Sequence, residues 1–198
     1  MHPARDFHVA DEAELLAHLA AYPFVTLAGA PDGRMRIAHS PVVVRRLAGG
    51  LALDLHLSRG NALTPFLAAG FDAVAVSLGS DAYVSPDWYV TPDQVPTWNY
   101  VSVEAEGRLT ALPDAGLVAQ LDDLSAQEEA RLAPKPPWTR HKMSEGRFER
   151  MCRGIVGCRL AIVRLEGMRK ISQNKAPADR KGVIAGLCDH PIARLMAE

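Results

Sequence analysis

The residues of this 198-residue chain best equipped for chemistry fall into three short runs. AHSP (38–41) and LHLSRGN (55–61) carry His39, Ser40, His56, Ser58, Arg59 and Asn61. Together they supply imidazole, hydroxyl, guanidinium and amide groups. That set suits a phosphate, because arginine offers a charged, two-pronged fork and the neutral donors fill the remaining oxygens. No glycine-rich dinucleotide or nucleotide-phosphate pattern occurs. A phosphate would therefore be held by side chains together with strand-end amides. His39 alternates onto the same face as Met35 and Ile37, the pattern of a hydrogen-bonded core histidine. His56 shares its face with Asp54 and Ser58. A metal site on the two histidines lacks third and fourth ligands at a recognisable spacing.

The second run is aromatic. AYVSPDWY (82–89) and VPTWNY (95–100) place two tryptophans and three tyrosines within residues 82–100. Such side chains can wall a planar ring, or simply pack a rigid loop onto a scaffold, which is the commoner outcome. The third run, RKISQNK (169–175), sets amides and a hydroxyl among cations. It reads either as a solvated basic tail or, if ordered, as a source of donors for a ring edge or a phosphate. No Ser-His-Asp or Cys-His order stands out. Glu104 and Glu106 share a strand face, where exposed carboxylates are commoner than catalytic pairs.

Several elements must position these groups. Asp11, with Glu14 three residues on, predicts a helix start. Leu15, Leu16 and Leu19 give that helix an apolar face, and Pro23 ends it. Strands are predicted over 24–29, 34–44, 51–58, 73–78, 98–109 and 156–165, separated by turns at Pro31-Asp32-Gly33 and Gly49-Gly50. Leu51, Leu53, Leu55 and Leu57 alternate with Ala52, Asp54, His56 and Ser58, predicting a half-buried strand. A short helix follows, capped by Thr64 with Pro65 at its first position. Residues 80–96 read as an ordered excursion, 114–132 as a surface helix with Leu117, Leu121 and Leu124 inward, and 148–154 as a helix closed by glycine. A polar tail follows from 170 to 181. Closely spaced antiparallel strands with helices around them imply a mainly β fold with peripheral helices, closed or half-closed into a barrel so that few edges stay exposed. No linker or repeat divides the chain, so residues 1–198 read as one domain with C-terminal helical and polar-tail additions.

The balance of charges narrows the function. Lys and Arg total 22 against 23 Asp and Glu, for a net charge of −1. This argues against broad electrostatic attraction to nucleic acid or an anionic membrane. The three cysteines, Cys152, Cys158 and Cys188, fit neither a disulfide framework nor a metal knuckle, so reduced thiols in a cytoplasmic protein are expected. The N-terminal MHPARDFHV has no apolar core and does not read as a signal peptide. No apolar run approaches bilayer length.

AHSP, LHLSRGNAL, AYVSPDWY, VPTWNY and RKISQNK, together with IVG (155–157) and Trp138 before it, resemble the PaiB-type family of FMN-binding negative transcriptional regulators. They do so in order and spacing from Phe7 to about Leu187. The resemblance implies a split β-barrel related to flavin reductase and pyridoxamine-phosphate oxidase barrels, a homodimer, and FMN in the cleft between subunits. It implies that His39 and Ser40 flank the FMN phosphate and that Arg59 and Asn61 lie at the turn where phosphate donors cluster, with His56 and Ser58 added as cofactor-binding candidates from their donor chemistry. It places Trp98 and Asn99 beside the isoalloxazine, with Ser172, Gln173 and Asn174 closing the site. It also implies a DNA partner, although no helix-turn-helix with a basic recognition helix is evident. The chain departs from the family pattern at Ser40 (for Leu), Leu55 (for Gly), Ala62 (for Pro), Lys175 (for Arg) and His2 (for Tyr). The rival reading is an FMN-dependent oxidoreductase, with the flavin carrying the electrons. A third is an interaction or storage module that has lost the cofactor.

Overall fold

The computed structural model describes residues 3–197, so His2 lies outside them. In chain order the elements are β1 (His8–Val9), α1 (Glu12–Ala21), β2 (Phe24–Gly29), β3 (Arg36–Pro41), β4 (Val43–Leu47), β5 (Gly50–Ser58), β6 (Phe71–Val84), β7 (Thr97–Ala111), α2 (Asp114–Ala130), α3 (Arg147–Cys152), β8 (Ile155–Lys170), α4 (Pro177–Leu187) and α5 (Pro191–Ala197). The sheet runs β3-β2-β6-β7-β8-β5-β4, with β1 added on β8. Among the described residues the chain forms two compact units. The larger comprises residues 19–77 and 104–165; the smaller comprises 3–18, 78–103 and 166–197. The long strands β6, β7 and β8 contribute residues to both.

In the larger unit, β2 and β3 pair antiparallel with Thr26 opposite His39 and Ala28 opposite Ile37. Val25, Leu27, Ala38 and Ser40 point inward and are buried. The other face is open: Phe24, Met35 and Ile37 are 60–68% exposed, and His39 is exposed with them. This goes against the reading of His39 as a core histidine. Small residues at 38 and 40 let β3 close against β5, where the Ser40 hydroxyl donates to the His56 carbonyl at 2.8 Å. The larger side chains on the same strand are left outside.

Strand β5 also differs from the half-buried element expected. It enters from a tight turn in which Gly50 sits at φ 120°, a conformation open to glycine. Leu53 and Leu55 are fully buried on one side, and Asp54 is 2% exposed on the other. The register explains how a carboxylate can lie there. Arg159 of β8 stands directly opposite Asp54, and Arg45 of β4 stands on a diagonal to it. The Arg159 guanidinium grips both carboxylate oxygens, at 2.6 and 2.8 Å, and Arg45 Nε donates at 2.9 Å. Helix α2 lies over this face with Leu117 and Gln120 buried.

In the smaller unit, β1 pairs with the end of β8, His8 opposite Met168. Val84, Val101, Ile171, Val183, Ile192 and Met196 form its core. Strand β6 runs on to Val84, past the Gly79-Ser80-Asp81 segment that reads as the start of a loop. Residues 170–181 are no solvated tail: Ile171 and Ser172 are buried, and α4 and α5 follow. Trp88 lies in a groove of α4 floored by Gly182 and Gly186, where a Cβ at Gly182 would overlap the Trp88 carbonyl oxygen. That close approach anchors the aromatic loop. Asp11 caps α1 as expected, its carboxylate accepting the Glu14 amide at 3.0 Å. Thr64 is not a cap: it sits inside the short 3-10 turn Thr64–Phe66 and donates to the Ser58 carbonyl at 2.8 Å.

Candidate functional site

The end of β5 and the turn after it carry the phosphate-donor candidates of the larger unit. The backbone amides here are already committed. Arg59 N donates to the Gly154 carbonyl and Asn61 N to the Ser58 carbonyl, both at 2.9 Å, and Gly60 N goes to Ser58 Oγ at 3.3 Å. The strand-end amides expected to help hold a phosphate are therefore not free. The side chains are. Arg59 Nε is fixed by the Arg153 carbonyl at 2.6 Å, which orients the guanidinium while both Nη groups stay unbonded among the described residues. Asn61 Oδ1 accepts the Leu63 amide at 2.9 Å and leaves its NH₂ available. Ser58 Oγ accepts from Gly60 and keeps its own hydrogen to donate.

The two histidines do not converge. His39 Nδ1 lies 3.2 Å from Thr26 Oγ1, and its ring stacks on Phe24. His56 is half-buried with Nδ1 3.2 Å from Gln120 Oε1. Burial pushes its imidazole below the ordinary range, against a smaller opposing effect of the Gln120 hydrogen bond. The described residues contain no cluster able to hold a metal. Ser40 is buried with its hydroxyl donated to His56. The cysteines are free, and burial raises the Cys158 thiol to about 12, leaving it unreactive.

Arg59 also lines a cavity of about 300 Å³ with Arg140, Arg153, Leu117, Phe148 and Ile155. Asp114 and Glu149 share the rim with these guanidiniums; the apolar slot with a net excess of cations suits a flat, apolar ring carrying a phosphate. Its volume is at the lower edge of ligand pockets, enough for one end of a flavin nucleotide. On donor chemistry the residues fit FMN.

The candidates of the smaller unit divide differently. Asn99 is fully buried; its Nδ2 donates to Ser172 Oγ at 2.9 Å and also faces the Met196 sulfur at 3.6 Å. Ser172 sits at φ 58°, unusual for a side-chain-bearing residue. Gln173 is committed to the chain around it: its Oε1 accepts the Ile171 amide at 2.8 Å, and its Nε2 donates to the Asp6 carbonyl at 3.0 Å and to the Arg169 carbonyl. These three hold the fold. Trp98 is 54% exposed and meets Tyr83 edge-on, with ring centroids 6.2 Å apart, so an aromatic surface remains open there. Asn174 lines a second cavity, of about 270 Å³, with Tyr89, Thr97, Lys170 and Lys175. Sequence reasoning placed both lysines in the RKISQNK run and Tyr89 in the aromatic run without naming them as site residues, and it did not single out Gln120.

Three comparisons bear on this architecture. Over the whole chain it is 26% identical to the Bacillus subtilis protease synthase and sporulation protein PAI 2, of which it covers 95%. Among solved structures it is similar to the FAD and heme binding protein from Mycobacterium smegmatis, with a TM-score of 0.60 and 19% identity, covering 87% of this chain and 78% of that one. It is also similar to the flavocytochrome Anf3 from Azotobacter vinelandii, with a TM-score of 0.59 and 16% identity, covering 86% and 72% respectively. At those identities the likeness is one of fold: a mainly β split barrel with added helices, as expected from the sequence. No helix of the described residues is long and apolar enough to cross a membrane. A family model described as "Putative FMN-binding domain" matches residues 1–164, and its ligand class, a flavin, is the one anticipated from the motifs. This chain belongs to that FMN-binding domain family.

Proposed function

We propose that this protein holds FMN, takes its phosphate with Ser58, Arg59 and Asn61, and acts as a homodimeric regulator of transcription. The observation that carries the FMN reading is the Ser58–Asn61 turn. Its amides are internally satisfied, while a preset guanidinium, a hydroxyl and an amide side chain, each anchored by one bond, keep further donors to spare. When bound, the flavin supplies the redox-active ring; the chain supplies charge, orientation and shielding.

The homodimer is supported by the outer face of β3, β2 and β6. Phe24 and Ile37 are exposed there beside half-buried Ala28, Val74 and Val76. A contiguous apolar face of this kind suits a self-complementary interface. The regulatory reading rests on the whole-length likeness to PAI 2, a sporulation protein by name.

The first test is a fluorescence titration with FMN. Arg59→Ala should weaken binding by about 1.5–3 kcal/mol, roughly ten- to a hundredfold or somewhat more, the loss expected of a charged hydrogen-bonding partner. Unchanged affinity would remove Arg59 from the site. Light scattering on Ile37→Glu should show monomer if the apolar face is the interface. Salt-sensitive binding to promoter DNA supports the regulator. Oxidation of a nicotinamide donor by the FMN-loaded protein, without DNA binding, would replace that reading with an oxidoreductase.

A further inference from the structure

The second cavity, lined by Lys170, Lys175, Thr97, Asn174 and Tyr89, takes none of the phosphate contacts proposed above for FMN, although Asn99, Ser172 and Asn174, which the resemblance sets at the flavin, also line it; every residue lining it belongs to the smaller unit. We propose that it is a separate binding site for a small phosphate monoester with a compact apolar body.

Three features point to such a ligand. First, neither ammonium is held in an ion pair, though the Lys175 charge does reach Asp179 as the smallest of the influences that lower that carboxylate. Lys170 Nζ donates to Thr97 Oγ1 and Lys175 Nζ to Gln94 Oε1, each at 2.6 Å, and both partners are uncharged. Among the described residues neither lysine forms an ion pair. Asp179 also has a use elsewhere: its carboxylate accepts Val90 N at 2.8 Å, Thr91 N at 2.9 Å and Thr91 Oγ1 at 2.7 Å. The two cations sense each other, since the Lys170 ammonium is held below its ordinary range by burial first and by the Lys175 charge second. Two like charges at one cavity are stabilised by a dianion, and a phosphate monoester is a dianion near neutral pH.

Second, the Tyr89 hydroxyl is buried and, although Ser172 is its neighbour, closes no hydrogen bond. Buried hydroxyls are normally partnered. A phosphate oxygen, with several acceptor positions, would satisfy it along with the Asn174 side chain; a single carboxylate offers fewer acceptors and half the charge. Third, the walls are not polar throughout. Phe7 and Val95 line the cavity, and the Tyr89 ring lies 5.0 Å from Lys175 Nζ. The volume, about 270 Å³, leaves apolar room beyond a bare phosphate.

The fold presets these groups. The turn through Ser172 at φ 58° brings Lys175 N back to the Ser172 carbonyl at 3.0 Å. The Trp88 groove on α4 and the Asp179 bonds to residues 90 and 91 bracket Tyr89 on either side.

Isothermal titration with phenyl phosphate, on the full chain with and without saturating FMN, tests the site. One equivalent should bind in both states. Binding should weaken by about tenfold or more in Lys170→Met and, separately, in Lys175→Gln, whose wild-type side chain lies on a turn where the substitution is compatible with folding. Tyr89→Phe should weaken it less, and Arg59→Ala should leave it unchanged. Inorganic phosphate should bind more weakly than phenyl phosphate, and benzyl alcohol should not bind. Melting curves of each variant separate lost binding from lost fold. No binding by any probe, or equal binding by the lysine variants, overturns the site. Equal affinity for inorganic phosphate overturns the monoester class. Displacement by FMN, with FMN affinity itself falling in Lys170→Met, would make the cavity the flavin's own phosphate subsite. Loss of the FMN reading alone would appear as an unaffected Arg59→Ala titration with the phenyl phosphate profile intact.

Discussion

The two units hold a buried carboxylate with different partners. In the larger, Asp54 lies almost wholly inside, and its charge is met by two guanidiniums with three hydrogen bonds. In the smaller, the buried polar pair Asn99 and Ser172 is neutral and the buried Asp179 carboxylate is met by three hydrogen bonds from residues 90 and 91, while Lys170 and Lys175 stand at a cavity with no ion-pair partner among the described residues. A paired charge holds strands in register; an unpaired one costs stability unless something binds it. The contrast separates groups whose hydrogen bonds are used by the fold from groups with capacity left over. It applies to the phosphate candidates too. Ser40, Asn99, Ser172 and Gln173 have used their donors on the chain, whereas Ser58, Arg59, Asn61 and Asn174 have donors to spare.

The sharpest way to break the comparison is Asp54→Ala. It strips the counter-charge from Arg159 and one of two from Arg45, which keeps Asp123, and it unties β4, β5 and β8 at once. Both arginines reach partly into solvent, which softens the penalty. The expected loss is about 2–4 kcal/mol, toward the low side of that for breaking a buried ion pair. Urea denaturation reads it directly. A loss under about 1 kcal/mol, the level of an exposed pair, would mean that the cluster is no more than a surface bridge.

A smaller effect is expected in the neutral network. Asn99→Ala leaves Ser172 without its partner in a buried site, which costs about 1–3 kcal/mol. The same denaturation experiment checks it. If Asn99→Ala proves as damaging as Asp54→Ala, then charge is not what distinguishes the two units, and the strained Ser172 turn carries more of the smaller unit's stability than its hydrogen bonds indicate.

Much of this architecture was legible in the sequence, because local patterns decide local structure. Residues 24–29 form β2 as predicted, Asp11 caps α1, and the Gly50 turn joins β4 to β5. What was not legible depends on partners far along the chain. Alternation in β5 predicted one wet face; that face is closed by Arg159, 105 residues away. The Met35-Ile37-His39 face looked like core because it is apolar. It is outside because Ala38 and Ser40 are the residues small enough to meet β5. Strand β6 was cut short at Gly79-Ser80-Asp81, where turn-forming residues are overruled by sheet pairing. The phosphate-donor turn was legible as a motif, but the state of its amides was not. The lysine cavity was harder still. Lys175 meets Gln94 across 81 residues, and nothing in RKISQNK alone sets Tyr89 beside it.

His56 lies between the two kinds of polarity, being titratable yet held neutral, and it gives the smallest effect of the series. Its ring is half-buried against Gln120, whose own Nε2 is buried without a partner. Burial lowers its pKa from the ordinary 6.5, and the Gln120 hydrogen bond only partly offsets this. The unfolded chain therefore takes up a proton at a pH where the folded chain still resists it. The contribution of His56 to stability is complete above about pH 6.5 and is withdrawn as the pH falls below that value toward the folded one, with no further loss once both states are protonated. Urea midpoints between pH 8 and pH 5 should fall more steeply for the wild type than for His56→Gln, which keeps a polar group facing Gln120 but cannot titrate. Parallel curves would show that His56 binds its proton equally in both states. In that case α2 would cover the β5 face too loosely to exclude water.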